Sequence, residues 1–145
     1  MFSKRIVDSD KFVTLPVDAK LLYYDLAMHC DDDGFCNHPR RVMLWCRVAG
    51  TALAPLVEEG FVYDFDGTIV VRDWRIHNSL KSDRLKMPDY PDIARQIWIR
   101  PNGRYELEPT EDAMTLYDFK AAYIREKKNP FGKNGELQVY DGEES

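Results

Sequence analysis

Basic side chains are concentrated in the middle of this chain, where the chemistry they offer is the binding of anions. Positions 38–86 contain eight basic and six acidic residues, a local balance of +2 within a 145-residue chain of net charge −5. One group, named here the basic band, lies on or just beyond the second strand of a predicted hairpin: Arg72, Arg75, His77, Asn78, Lys81, Arg84 and Lys86. Arginine and lysine neutralise phosphates, and asparagine hydrogen-bonds a sugar–phosphate backbone. The band therefore predicts phosphate contact.

A second group of basic residues lies earlier in the chain. Arg40 and Arg41 fall in the first turn of a predicted helix, whose free N–H groups already favour an anion, and Arg47 follows at its end. Thr51 begins the next helical segment and adds a hydroxyl. For both groups the alternative is an ordinary solvated surface, with the arginines of the band paired to Asp73 and Asp83.

Base reading by the segment 51–59 is not expected. Major-groove recognition uses arginine, lysine, asparagine or glutamine on an exposed helix face. Here the segment offers Thr51, Glu58 and Glu59, with Pro55 in the middle, and the two glutamates repel phosphates. If duplex DNA is bound, we expect contact mainly through backbone phosphates, with low to moderate sequence selectivity.

The sequence gives no reason to expect an enzyme or a cofactor. No serine lies in a G-x-S-x-G turn, and no glycine-rich phosphate loop is present. The adjacent aspartates 31–33 cannot all face one metal ion, so we interpret them as helix-ending turn residues. The soft ligands His29, Cys30, Cys36, His38 and Cys46 lack the paired spacing of structural zinc sites. We predict no metal.

The order of the predicted elements favours an α+β fold of the winged helix-turn-helix class, three helices plus a β-hairpin wing. Helical patterns cover 16–30, 38–46 and 51–60, with Asp18 and Asn37 as predicted caps. The first has its apolar stripe at Ala19, Leu22, Leu26 and Cys30. The third ends at Gly60 with Phe61 as a hydrophobic clasp.

A hairpin follows these helices over residues 61–74, around a two-residue turn at Asp66-Gly67 that is typical of type I′. Phe35 and Cys36 are predicted to form the short strand that pairs with it. Val42, Cys46 and Ala49 are expected on the buried side of the second helix, and Trp45 is the aromatic residue expected to be exposed.

Three regions follow from this pattern. Residues 1–90 are predicted to form the winged-helix domain, 91–125 a small α/β extension, and 126–145 a flexible charged tail. The extension is expected to contain either a short helix that enters a second hairpin at Asn102-Gly103, or a helix and a strand. A last amphipathic helix would present Met114, Tyr117, Ala121 and Ile124 on one face.

The composition indicates a cytoplasmic protein. No run of about 18 apolar residues predicts a membrane span, and the N-terminus lacks the apolar region of a secretory signal. The odd count of three cysteines fits a reducing compartment better than a disulfide framework.

Several segments in one order resemble a known family. They are MFSKRIVDSDKF, LPVDAKLLYYDLAMHCDDDGF, NHPRRVM, FDGTIVVRDWRIHN and KSDRLKMPDY. Together they look like the N-terminal domain of phage and prophage replisome organisers, replication initiators related to DnaD-type primosome proteins. The resemblance covers about residues 1–107 and is strongest over 1–90. It implies a winged-helix domain for origin recognition, self-association and recruitment of partners such as the replication helicase or its loader.

A second class of function stays open beside DNA binding. The same fold is also used as a protein–protein adaptor, here for oligomerisation or for docking a replication or regulatory protein. The negative net charge and the two glutamates of segment 51–59 favour the adaptor, whereas the clustered arginines and the family resemblance favour DNA.

Overall fold

A computed structural model describes residues 2–80 and 85–132, and it confirms the predicted α+β class. The chain divides into two compact units. The N-terminal unit comprises Phe2–Trp74, and the C-terminal unit begins at Arg75. The sequence placed a boundary near residue 90, so the observed division falls earlier in the chain. Most of the predicted tail, residues 133–145, lies outside the described residues.

The N-terminal unit has its helical segments before its hairpin, in the order the sequence predicted. Its elements are α1 (Lys4–Val7), α2 (Asp10–Val13), α3 (Val17–Met28), β1 (Phe35–Cys36), α4 (Pro39–Cys46), α5 (Leu53–Glu58), β2 (Val62–Phe65) and β3 (Thr68–Val71). A single 3-10 turn, Gly50–Ala52, leads into α5.

The three strands form an antiparallel sheet in the order β1-β3-β2. Phe65 lies opposite Thr68, which leaves Asp66 and Gly67 as the turn. Both have positive φ, 52° and 99°, as a type I′ turn requires, so this prediction is confirmed. The predicted short strand is also present, because Phe35 pairs with Val70 of β3.

Aromatic rings from distant parts of the chain make the core of this unit. The ring centroid of Phe12 lies 5.1 Å from that of Tyr23 and 5.5 Å from that of Phe61, and both pairs meet edge to face. Such geometry is favourable beyond the area that it buries. The predicted stripe of α3 is buried at Ala19, Leu22 and Leu26. Its fourth member, Cys30, lies beyond the end of the helix and is half-buried.

Two predicted helix caps are wrong by one or two positions. The residue before α3 is Pro16, so Asp18 lies in the first turn, where its charge still suits the helix dipole. Likewise His38 precedes α4, and Pro39 occupies the first position of the helix as predicted. The cap positions shift because Pro16 and Pro39 fix the backbone at the two helix starts.

Other local predictions at helix ends were partly confirmed. The backbone N–H of Phe61 donates to the carbonyl of Leu56 at 2.9 Å, and that of Gly60 donates to Val57 at 3.0 Å. This is the glycine-ended cap the sequence predicted after α5. In contrast Ala49 is exposed, because the chain has already left α4 at Cys46.

The loop between α3 and β1 is organised by Asp31. Its Oδ1 accepts hydrogen bonds from the backbone N–H groups of Asp33 at 2.9 Å and Phe35 at 3.0 Å. The indole N–H of Trp74 donates to the carbonyl of Asp32 at 2.9 Å. Gly34 has φ +90°, and a Cβ there would lie 2.5 Å from Cγ of Trp74. The aspartates thus have the turn role that the sequence predicted.

The C-terminal unit contains a second, smaller sheet. Its elements are α6 (Trp74–His77, which begins at the last residue of the N-terminal unit), α7 (Pro91–Ala94), β4 (Trp98–Ile99), β5 (Tyr105–Glu106), β6 (Met114–Thr115) and α8 (Leu116–Glu126). Strands β4 and β5 form the predicted second hairpin, closed by a hydrogen bond from Gly103 N–H to the Arg100 carbonyl at 2.8 Å. Strand β6 pairs on the other edge of β4 and was not predicted.

The predicted face of the last helix is wrong. Met114 lies in β6, opposite Ile99, and the Thr115 hydroxyl caps α8 by accepting from the N–H of Asp118 at 3.1 Å. The buried residues of α8 are Leu116, Phe119 and Lys120, whereas Tyr117, Ala121 and Ile124 are half-buried. Met114 is withdrawn from the helix because it lies in β6, and the buried residues of α8 follow the i, i+3, i+4 spacing of another face.

Across the described residues, no helix combines the length and apolar character that crossing a bilayer requires.

Substitution of Gly34 tests the packing of Trp74 in the loop. Gly34→Ala is expected to lower the free energy of unfolding by about 3 kcal/mol or more, because it adds both left-handed strain and a steric clash. Gly67→Ala is the control, since Gly67 also has positive φ but nothing lies within 4 Å of its added Cβ. Urea unfolding measures both, and equal losses would show that the indole moves aside freely.

The pH dependence of stability provides a second test. Burial raises the pKa of Tyr23 well above 10.0, and the charge of Asp73 raises it further. Above about pH 10 the unfolded chain releases this proton and the folded chain retains it. The free energy of unfolding is therefore expected to fall with rising pH, by up to about 1.4 kcal/mol per unit. Urea unfolding at pH 8 to 11 should give a shallower fall for Tyr23→Phe, and parallel curves would contradict this.

Candidate nucleic-acid interface

Arg72, the first residue of the basic band, forms an ion pair with a neighbouring buried side chain. Arg72 Nη2 lies 2.9 Å from Oδ2 of Asp73, whose side chain is fully buried, and the guanidinium lies 5.2 Å from the Phe61 ring centroid. Burial favours a lower pKa for Arg72, but the charge and hydrogen bond of Asp73 outweigh it and raise the pKa. For Arg72 the alternative of pairing with Asp73 is therefore confirmed.

The next two basic residues of the band are buried. Arg75 is 8% exposed and His77 is 6% exposed, which corrects the expectation that they lie on an open phosphate-binding face. Residues 74–77 form the helical turn α6. A Cβ added at Gly103 would lie 3.3 Å from Cβ of Arg75, so the Arg75 stem packs on the turn of the second hairpin.

The remainder of the band is only partly described. Asn78 is half-buried, and Lys86 is exposed with its Nζ 3.2 Å from Oδ1 of Asp89. Lys81 and Arg84, two of the residues predicted to contact phosphate, lie outside the described residues. The described part of the band thus does not form one open basic face.

The arginines of the second group are exposed. Arg40, Arg41 and Arg47 are all open to solvent, whereas Val42 of α4 is fully buried. In the described part of the chain, none of the ion pairs involves any of the three. Two large apolar side chains are exposed on the same helix. We name this set the α4 face: Arg40, Arg41, Leu44, Trp45 and Arg47.

Arg47 has an unusual backbone for its residue type. Its φ and ψ are 59° and 40°, the left-handed region, directly after α4. Its N–H donates to the carbonyl of Leu44, and the N–H of Val48 donates to that of Met43, both at 3.2 Å. Glycine usually occupies this position because other residues pay about 1–2 kcal/mol there. A strained residue of this kind often has a functional role.

Trp45 is 54% exposed, so the aromatic residue expected at the surface is there. The ring centroid of His29 lies 4.8 Å from that of Trp45 with an interplanar angle of 37°, and His38 lies edge-on at 5.9 Å. His29 Nδ1 is 2.8 Å from the Asp25 carbonyl oxygen, and His38 Nδ1 is 2.9 Å from Oδ1 of Asn37. Hydrogen bonds therefore hold both histidine rings against the indole.

Segment 51–59, which is not expected to read bases, presents its hydroxyl and carboxylate side chains at the surface. Thr51, Glu58 and Glu59 are all exposed. The hydroxyl of Thr51 lies in the 3-10 turn that follows the α4 face in the chain, whereas the two glutamates lie at the far end of α5. Of this segment, only Thr51 remains a candidate for contact with an anion.

The cysteines and histidines do not assemble into a ligand set. Within residues 2–80 and 85–132, no group of three or more His, Cys, Asp or Glu side chains is placed to hold a metal ion. All three cysteines are free thiols, and burial raises the pKa of Cys30 well above 9.0. A thiol with a raised pKa has little of the reactive thiolate near neutral pH.

Comparison with protein-family models, with curated proteins and with solved structures finds no match to this chain.

Replacement of Arg47 by glycine distinguishes the effect of its side chain on stability from the effect of its left-handed backbone. Arg47→Gly is expected to raise the free energy of unfolding by about 0.5 kcal/mol, because relief of left-handed strain exceeds the added flexibility of the unfolded chain. Arg41→Gly, in the right-handed interior of α4, is expected to lower it by about 1 kcal/mol. Urea unfolding compares the two. A loss at Arg47 as large as that at Arg41 would mean that its side chain stabilises the fold.

Proposed function

We propose that this chain is a non-enzymatic DNA-binding protein of winged-helix type that contacts the backbone phosphates of duplex DNA. The observation that carries this proposal is the α4 face, where three exposed arginines have no acidic partner in the described part of the chain. Each such guanidinium is available to neutralise one phosphate. The resemblance to replisome organisers suggests that the DNA is bound during replication initiation of a phage or prophage.

The order of elements supports the winged-helix assignment. In such a fold α3, α4 and α5 are the three helices, β2 and β3 the wing, and β1 the short strand paired with it. The tip of this hairpin is acidic, because Asp64 and Asp66 are both exposed. Acidic residues at the hairpin and at the end of α5 favour phosphate contact through α4, with Thr51 beside it.

Contact of this kind is expected to have low sequence selectivity. Specificity for bases comes from side chains that reach base edges, whereas phosphate contacts only position the protein. The exposed end of α5 carries glutamates, which repel phosphates. A local cationic surface on a protein of net charge −5 also keeps non-specific attraction modest, since the rest of the surface opposes it.

The second candidate is a protein–protein adaptor. Leu44 is 77% exposed and Trp45 is 54% exposed on the same helix as the arginines. Tryptophan and arginine are the residues most often found at the energetic centre of protein interfaces. On this alternative the α4 face docks a second copy of the chain, or a replication partner such as a helicase or its loader.

Fluorescence anisotropy with a labelled random duplex at several salt concentrations tests the first candidate. Removing the three guanidiniums (Arg40→Ala, Arg41→Ala, Arg47→Gly) is expected to weaken binding. It should also reduce the slope of log affinity against log salt by about 1 for each lost phosphate contact. Circular dichroism checks that the variant remains folded.

A charge-matched variant provides the control for this measurement. Arg125→Ala, Lys127→Gly and Lys128→Ala remove three exposed cations from the C-terminal unit, one of them from a left-handed residue like Arg47. This variant should retain most of the salt slope. If both variants lose the same slope, the binding depends on net charge alone. Absence of duplex binding at low salt would favour the adaptor.

A further inference from the structure

The exposed indole of Trp45 has the properties of a rigid platform. The half-buried His29 ring lies against the indole at 4.8 Å, and the hydrogen bond from His29 Nδ1 to the Asp25 carbonyl fixes that ring at the end of α3. The backbone of Trp45 is held within α4. Despite these contacts the side chain remains 54% exposed. A ring held in this way loses little conformational entropy when a ligand stacks on it.

The charges beside the indole complete the arrangement. Arg41 precedes Trp45 by four residues, so the two side chains are neighbours on the surface of the helix, with about 5–6 Å between their Cβ atoms. Arg40, in the first turn of the same helix, and Arg47, directly after its last residue, are also exposed. An aromatic surface beside unpaired cations matches a nucleotide, whose base is flat and apolar and whose phosphate is anionic.

We propose that Trp45 stacks on an unpaired nucleobase, so that the α4 face binds single-stranded nucleic acid as well as duplex. This inference rests on the proposed function, because the same arginines supply the phosphate contacts. The bases of an intact duplex are stacked on one another and offer no free face to the indole. The contribution of Trp45 is therefore confined to strands with unpaired bases, and it is independent of base sequence.

The test compares two labelled strands of equal length and charge: a twelve-residue oligothymidylate and the same backbone without bases. Wild-type protein is expected to bind the oligothymidylate about tenfold more tightly than the abasic strand. Trp45→Ala should remove this difference, while Trp45→Phe retains most of it. Leu44→Ala is the matched control, because it removes an exposed apolar side chain from the same helix and should preserve the preference.

The possible outcomes distinguish failure of this inference from failure of the proposed function. Equal affinity of the wild-type protein for both strands, with an unchanged salt slope, would overturn stacking and leave phosphate contact intact. The same is true if Trp45→Ala keeps the tenfold preference. Absence of binding to duplex, oligothymidylate and abasic strand alike would overturn the proposed function itself, and with it this inference. In that case a protein partner becomes the occupant of the α4 face.

Discussion

The packing of Trp74 into the loop between α3 and β1 is the contact on which the rest of the N-terminal unit depends. The indole fills the space that a side chain at position 34 would need, and its N–H satisfies the carbonyl of Asp32. The N–H of Val71 in turn donates to the carbonyl of Gly34 at 3.0 Å. These contacts tie the end of the hairpin to the end of α3. They thereby hold β1 against β3. They also hold the position of His29, which lies immediately before the loop.

A buried ion pair also explains why the exposed cations of this unit differ from those that the sequence predicted. Asp73 is fully buried and its partner is Arg72, so the pair is retained inside the fold together with the Tyr23 and Phe61 rings. Burying two charges requires close pairing, and removing one partner of such a pair typically costs about 3–5 kcal/mol. The Arg72 guanidinium is consequently a structural group. Of the two predicted basic groups, the described arginines that are exposed and take part in no described ion pair are Arg40, Arg41 and Arg47.

The α4 face combines two features that folding alone does not favour. Arg47 adopts a backbone that would suit glycine better, and Trp45 leaves much of a large apolar ring in water. Trp45 lies on a short helix whose buried side is secured by Val42, and Arg47 directly follows that helix. Residues that depart from local preference are expected at functional sites, where a stability cost is accepted for chemistry. Single features of this kind occur elsewhere, such as the left-handed backbone of Lys127 and the exposed side chain of Met28, but the α4 face combines them with two further exposed arginines.

The sequence by itself determined the features that depend on neighbouring residues: the turn at Asp66-Gly67, the cap at Gly60 and the helix start at Pro39. Each results from steric or hydrogen-bonding preferences within a few residues, which a linear pattern contains. Only the tertiary structure decided that Arg75 is buried, that β6 joins the second sheet and which face α8 buries. These outcomes depend on contacts between residues far apart in the chain, and a charge pattern along the sequence does not state which side chains reach solvent.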